Sequence, residues 1–389
     1  MTCITCKLLE QIITSNLHRF LETGDILSNA QHGFRRERSC DTQLVHTFDA
    51  LAFNKEKGVI TDVLVLDFSK AFDSVSHKKL LFKLRQIGVS TEITSWIEGF
   101  LTDRRQFVYV DGFESLSCKV LSGVPQGSVL GPLLFILYIN DLPSQITSEC
   151  RLFADDALVF NTRENNKTLQ EDLEILENWS LTWQLSFNPN KCAFLAIDEK
   201  ITTQQYFLHN TLIQNVKSHP YLGVEISNDL KWDHHIDKIV SKANKVRGML
   251  SRVLNTADTK TRMVAYKTLI RSNLEYACQV WDPFLQKDIK TLEKVQNKSL
   301  RFIYRIKSFI SFTKLREECG IDSLQDRRKA HRLKLYCKVA QSKVITNRFI
   351  EQNQHYTRQE NNLYIPSIKS SAYFNSFWPK TTRDIREGI

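Results

Sequence analysis

The stretch Leu152 to Phe160, LFADDALVF, sets two adjacent carboxylates, Asp155 and Asp156, between two apolar runs that each have the length of a buried strand. Strand, acidic turn, strand is a β-hairpin by pattern, and one account is that the aspartates only make the turn. A second stretch, TDVLVLDFSKAFDSV, is continuously apolar from Val63 to Leu66 and then stops at Asp67. A carboxylate at the end of a buried strand is costly to desolvate unless it meets a cation, which makes it a candidate metal ligand. The alternative is that Asp67 caps the helix beginning around Ser69. Pairing the two stretches in one antiparallel sheet would gather Asp67, Asp155 and Asp156 at one spot. Their repulsion would raise their pKa values unless divalent cations neutralise them, and hard oxygen ligands of this kind favour Mg²⁺ or Mn²⁺. Two such ions suit phosphoryl transfer, one activating an attacking hydroxyl and the other holding a triphosphate and its leaving group.

Between the acids lies CKVLSGVPQGSVLGPLLFILYINDLP. Gly123, Pro125, Gly127, Gly131 and Pro132 make a loop whose backbone can approach a ligand closely, and an apolar helix follows at once. A loop leading into a helix N-terminus is a natural place for phosphate. The helix should be buried, since its apolar run is interrupted by Pro132 and is well short of the ~20 residues a membrane span needs. No membrane association is expected.

Lys and Arg outnumber Asp and Glu by 53 to 43, a net charge of +10 that suits a polyanionic partner such as nucleic acid and equally fits a merely soluble basic protein. Nine cysteines with no framework spacing argue for a reducing compartment, and the close pair Cys3 and Cys6 has no zinc-site partner. The start of the chain reads as a helix with Leu8, Leu9, Ile12, Ile13 and Leu17 on one face, not as a signal peptide. Residues 1–230 mix short strands, Gly/Pro turns and helices. Beyond Trp232 the pattern is helical: Ile236, Ile239, Val240, Ala243, Val246 and Leu250 form one stripe, with Lys238, Lys242, Lys245 and Arg252 largely off it. Further helices are expected through TLEKVQNKSLRFIYRI and the basic SLQDRRKAHRLKLYCKVAQ, and the last forty or so residues should be loosely held.

The order of these elements, an apolar strand ending in Asp, a PQGS loop with its apolar helix, and an Ala-Asp-Asp hairpin, resembles the reverse transcriptase of non-LTR (LINE-type) retrotransposons. The likeness runs from about Lys7 to at least Phe302 and includes LDFSKAFDSV, SGVPQGSVLGPLLFILYINDLP, FADD, QHGFRRERSC, LSFNPNKC, YLGVEI, RSNLEYACQVWDPF and LEKVQNKSLRFI. It implies an α+β right-hand polymerase. Fingers and a palm with an antiparallel sheet would occupy 1–230, a helical thumb 231–305, and a basic helical C-terminal extension with a loose tail 306–389. Asp67, Asp155 and Asp156 would be the catalytic, metal-binding triad for two Mg²⁺ ions, with Mn²⁺ as a substitute and the Phe68 carbonyl as a further ligand. Phe72 would lie beneath the sugar and select deoxynucleotides, whereas a Phe simply packed in the core would matter for stability alone. Gln126 would line the nucleotide pocket, Arg35 or Arg38 would hold triphosphate oxygens, and Lys191 would stand near the leaving pyrophosphate. Tyr221, Leu222 and Gly223 would form the primer grip.

Two positions depart from the family pattern: Glu37 stands where the fingers segment often has Gly, and Phe153 replaces the Tyr of many other reverse transcriptases. The implied reaction is nucleotidyl transfer from dNTPs to a primer 3′-hydroxyl on an RNA template. The setting would be intracellular, in nucleus and cytoplasm, as a ribonucleoprotein. The chain reads as a fragment or shortened copy lacking the endonuclease. Two other readings remain: a decayed, non-catalytic nucleic-acid-binding copy, and an RNA-dependent RNA polymerase, which Phe72 and the thumb-region matches disfavour.

Overall fold

In the computed structural model, which describes residues 3–164, 169–306, 311–341 and 367–387, the apolar run before Asp67 becomes β1 (Thr61–Asp67), the middle strand of a five-stranded sheet. Its partners are β2 (Glu149–Phe153), β3 (Asp156–Thr162), β4 (Ala193–Ile197) and β5 (Gln214–Asn215), in the order β5-β4-β1-β3-β2. A middle strand covered on both faces has no solvent side, which is why Thr61 to Leu66 are all buried and the sequence there shows no alternation. β1 and β2 each pair antiparallel with β3, as expected, while the outer β5 pairs parallel with β4.

The chain clusters into two units. One comprises Met1–Gln43, Thr61–Ala196 and Ile201–Val216, and the other Leu44–Ile60, Ile197–Lys200 and Lys217–Ile389. Within the second unit Phe48 meets Trp232 at 4.8 Å and Phe53 meets Tyr373 at 5.6 Å, drawing residues 44–60 to partners far along the sequence.

In the first unit the sheet is joined by α1 (Ile4–Thr23), the start of α2 (Cys40–Glu56), α3 (His77–Gln86), α4 (Thr91–Leu101), α5 (Gly131–Tyr138) and α6 (Leu169–Trp183). The expected apolar helix is α5, buried from Leu133 to Tyr138, which accounts for a sequence that is hydrophobic all round. Its entry is held from outside: the Glu10 carboxylate of α1 accepts from Val129 N at 2.6 Å and Leu130 N at 3.2 Å. That contact corrects the expected face of α1. Glu10, Thr14, Leu17 and Leu21 point inward, whereas Leu8, Leu9 and Ile12 are exposed. The amides at the start of α5 need an acceptor, and meeting that need turns the helix.

In the second unit β6 (Ser218–Tyr221) and β7 (Val224–Ser227) form a hairpin, followed by α7 (Asp233–Val253), α8 (Gln286–Tyr304), α9 (Leu324–Gln341) and α10 (Phe377–Arg386). Ile236, Ala243 and Leu250 of α7 are buried as its stripe requires. The expectation of a loosely held C-terminus needs correction for α10, where Trp378 and Thr381 are fully buried. Asp282 there accepts from Arg328 Nε, Arg332 and Lys380 Nζ, each at 2.7 Å, joining α9 and α10 through one carboxylate. The rest of the expected tail, residues 342–366, lies outside the described residues. No helix among the described residues is long and apolar enough to cross a membrane, and all nine cysteines are free thiols.

Candidate active site

Strand register brings the acids together. Asp67, the last residue of β1, is the direct cross-strand partner of Asp156, the first residue of β3. Directly opposed residues in an antiparallel pair have Cα atoms only about 4.5–5.5 Å apart. Asp155 precedes Asp156 in the loop between β2 and β3, where Phe153 pairs with Asp156 and leaves a two-residue connection, Ala154-Asp155. Ala154 takes the left-handed conformation, φ 53°, that such a tight hairpin demands. Asp67 is not a helix cap: the next helical turn starts at Ala71 behind Lys70.

The electrostatics follow from this crowding. Burial, and then the charges of Asp155 and Asp67, push the Asp156 carboxyl up to about 6. Asp155 is raised as well, first by burial and further by Asp67. Asp67 Oδ2 is buried without a hydrogen-bond partner, with Lys191 Nζ 3.5 Å away. Among the described residues no three His, Cys, Asp or Glu side chains close around a common point. Asp67 and Asp156 pair across β1 and β3, with Asp155 one residue earlier in the turn. A carboxylate oxygen without a hydrogen bond, beside two carboxyls raised first by burial and then by neighbouring negative charge, is oxygen-donor chemistry of the kind that suits a divalent cation.

The segment after the hairpin is stitched to the same place. Ser69 N donates to Ser186 O at 2.8 Å and Asn188 N to Asp67 O at 2.8 Å. This brings Lys191, 65% exposed, alongside Asp67. Phe68 turns its ring into the core, stacked on Phe187 at 4.5 Å. Phe72 is half-buried, stacked on Phe135 of α5 at 4.4 Å, and meets the exposed Phe34 edge-on at 6.4 Å. Nothing in the residue order of QHGFRRERSC marks the Phe34 ring, because its left-handed backbone, φ 55°, leaves no pattern in the sequence.

The PQGS loop is tied to the helical turn that follows Asp67, Ala71–Ser74, and to Val75 after it. Val124 N donates to Phe72 O and Gly123 N to Val75 O, both at 2.8 Å, and Gln126 Nε2 donates to Asp73 Oδ1 at 3.0 Å. A Cβ at Gly123, φ 88°, would come within 2.8 Å of Asp73 Cα, so only glycine permits this approach.

Both expected triphosphate arginines make hydrogen bonds within the chain. Arg35 is buried, with Nε and Nη2 on Glu22 and Nη1 on the carbonyls of Leu27 and Ser28. Arg38 donates to Asn29 O at 2.7 Å, Gln31 O at 3.2 Å and Asn29 Oδ1 at 2.7 Å. Four of the five Arg35 N–H groups are engaged by the chain, while Arg38 is held through Nη1 and Nη2 and keeps an Nε without a partner, so both brace the fingers segment and Arg38 retains a donor. Glu37 adopts φ 61°, the left-handed conformation that a glycine would take there.

Tyr221, Leu222 and Gly223 belong to the second unit. Tyr221 is buried, and Leu222 (φ 46°) and Gly223 (φ 80°) form the two-residue turn between β6 and β7. Tyr276 Oη donates to Leu222 O at 2.8 Å, a bracing contact that the sequence did not announce.

Residues 1–226, more than half of the chain, match the family model described as reverse transcriptase (RNA-dependent DNA polymerase). The RNA-directed DNA polymerase from mobile element jockey of Drosophila funebris is 27% identical over 314 residues, 76% of this chain and 34% of the relative. The probable RNA-directed DNA polymerase from transposon X-element of Drosophila melanogaster is 25% identical over 339 residues, 84% of this chain and 37% of the relative. The chain therefore spans about a third of the length of these relatives. Among solved structures, telomerase from Candida tropicalis in complex with a fragment of telomeric RNA aligns with a TM-score of 0.46 at 11% identity, over 85% of this chain and 49% of that one. With its acids at adjoining strand ends and its sequence matched over the whole sheet-bearing region, the chain belongs to the reverse transcriptase family, among the LINE-type enzymes of non-LTR retrotransposons.

Proposed function

We propose that the chain is an RNA-directed DNA polymerase that transfers nucleotides from dNTPs to a DNA primer 3′-hydroxyl on an RNA template, inside the cell as a ribonucleoprotein. The observation that carries this reading is the pairing of Asp67 with Asp156 across β1 and β3, with Asp155 next to them in the hairpin turn. Two divalent cations held by these carboxylates, Mg²⁺ in the first instance, would activate the primer hydroxyl and neutralise charge developing on the triphosphate. The chain's own residues supply the rest. Lys191 offsets negative charge near the leaving pyrophosphate or donates a proton to it. Phe72, held flat by Phe135, presents an edge that excludes a 2′-hydroxyl, and Gln126 lines the base side of the pocket from a loop tied to Asp73. Tyr221, Leu222 and Gly223 support the primer end through their rigid turn.

Primer extension on an RNA template with purified protein tests the reading. The parent should incorporate deoxynucleotides only when a divalent cation is present. Asp155→Asn or Asp156→Asn should lower extension by at least about 100-fold, the scale on which removal of one preorganised transition-state group is felt, while template binding stays within about threefold. Binding without extension by the parent would favour a decayed nucleic-acid-binding copy, and preference for ribonucleotides an RNA polymerase. Asn variants as active as the parent would defeat the site assignment.

A further inference from the structure

The acidic hairpin does not hold its turn alone. A strap from the fingers, Asn29 to Gly33, runs beside β2 as a parallel bridge, with His32 N donating to Leu152 O and Leu152 N donating to Ala30 O, each at 2.9 Å. Arg38 clamps the other side of the strap through the Asn29 and Gln31 carbonyls. From this strap the Gln31 side chain, 1% exposed, reaches under the turn. Its Oε1 accepts from Gly33 N at 2.7 Å and from Ala154 N at 3.0 Å. The amide orientation is set by chemistry, because the flipped form would aim an NH₂ group at two N–H donors. Gln31 Nε2 has no hydrogen-bond partner, so the oxygen alone holds the side chain in this pose. The approach is close enough that a Cβ on Gly33 would lie 2.3 Å from Ala154 N.

We infer that Gln31 is a positioning residue: its buried oxygen fixes the left-handed Ala154 backbone and thereby the direction in which Asp155 and Asp156 leave the hairpin. A left-handed alanine is disfavoured relative to the ordinary helical or extended regions because its Cβ crowds the backbone, and such a turn relaxes unless something outside it holds the amide. Gln31 touches no reacting atom; it acts through the backbone of the residue before Asp155. The sequence hides this role, since a glutamine preceding HGF reads as an ordinary loop residue.

The inference rests on the proposed role of Asp155 and Asp156, and its test separates the two. In the full chain, Gln31→Met keeps the bulk and removes the acceptor, whereas Gln31→Glu keeps an oxygen acceptor at the price of a buried charge. Hydrogen exchange at the Ala154 amide, with Leu64 of β1 as the internal reference, should speed up about tenfold in Gln31→Met, the effect of losing one buried hydrogen bond. It should stay within about threefold of the parent in Gln31→Glu. In extension assays Gln31→Met should lower kcat by about tenfold or more with the dNTP KM within about twofold, as misplacement of a reacting group does. A packing role alone predicts the reverse ranking, with methionine tolerated and the buried carboxylate harmful, and that result would overturn the inference. So would unchanged exchange at Ala154 in Gln31→Met. If Gln31→Met does not fold, exchange in Gln31→Glu decides: parental protection supports the acceptor role and lost protection refutes it. A parent that does not extend primers would sink the proposed function and leave the exchange result standing.

Discussion

Phe72→Val separates a sugar-selecting ring from a merely packed one. The ring is half-buried, stacked on Phe135 at 4.4 Å with an interplanar angle of 22°, and touched edge-on by Phe34. Truncating a fully buried Phe to Ala costs about 3–5 kcal/mol, and an aromatic pair contributes about 0.5–1.5 kcal/mol beyond its buried area. Half the burial and a valine left in place bring the expected loss to about 1–2 kcal/mol. For a unit of this size that is a fall in Tm of about 3–6 °C. The effect on sugar choice should be larger. An apolar wall that refuses an added hydroxyl discriminates by about 100-fold, or about 2.7 kcal/mol, and valine opens the volume that the ring had closed. The ratio of kcat/KM for dNTP over the matching ribonucleotide should therefore fall by about 100-fold, mostly through better use of the ribonucleotide. Measuring that ratio and Tm on the same preparation is decisive. If Tm drops as expected while the ratio stays at the parental value, Phe72 is core alone and the sugar-gate assignment is wrong.

Three further outcomes follow from the geometry. Arg35→Met should destabilise the protein by about 2–4 kcal/mol in denaturant unfolding, because it strands Glu22 and two carbonyls; a raised dNTP KM with unchanged stability would restore the triphosphate role instead. Asp282→Asn should cost about 3–5 kcal/mol, since Arg328, Arg332 and Lys380 would face one another without their shared carboxylate, and limited proteolysis near α10 should accelerate; indifference would mean the cluster is already neutralised in another way. His235 provides a pH test. Burial is the main reason its imidazole is lowered to about 4, so the native state carries it neutral, with Nδ1 accepting from Glu225 N at 3.3 Å. Because the folded pKa lies below the ordinary value of about 6.5, the unfolded chain binds the extra proton first. Stability from this group is complete above pH 6.5 and is lost as pH falls through 4, by about 3 kcal/mol in all. Urea unfolding of the parent and His235→Gln across pH 4–7 should show the parent losing that much more than the variant. Parallel pH profiles would refute the assignment.

Several elements were legible from residue order because they depend on local rules. The continuous apolar run of β1, the Ala-Asp-Asp hairpin and the all-round apolar α5 declare themselves through periodicity and turn chemistry. What failed involved partners far away in the chain. The apolar stripe of α1 suggested one buried face, yet Glu10 turned another inward to serve the amides at Val129 and Leu130. Arg35 and Arg38 have chemistry suited to phosphate, and only the fold shows that carbonyls and Glu22 take most of the Arg35 donors and part of those of Arg38. The tail looked polar and aperiodic until Trp378 and the Asp282 cluster packed it into a helix that no local pattern announced.

By itself the sequence determined which groups could do chemistry: three acids at strand ends, a glycine-rich loop before a buried helix, and a flat ring five positions beyond Asp67. Only tertiary structure decided which of them meet and which are spent on scaffolding. Register put Asp67 opposite Asp156, and hydrogen bonds between distant segments gave Gln31 to the hairpin and Arg35 to Glu22. The physical reason is that backbone periodicity is set by near neighbours, whereas a buried donor or acceptor must find its partner wherever the fold supplies one.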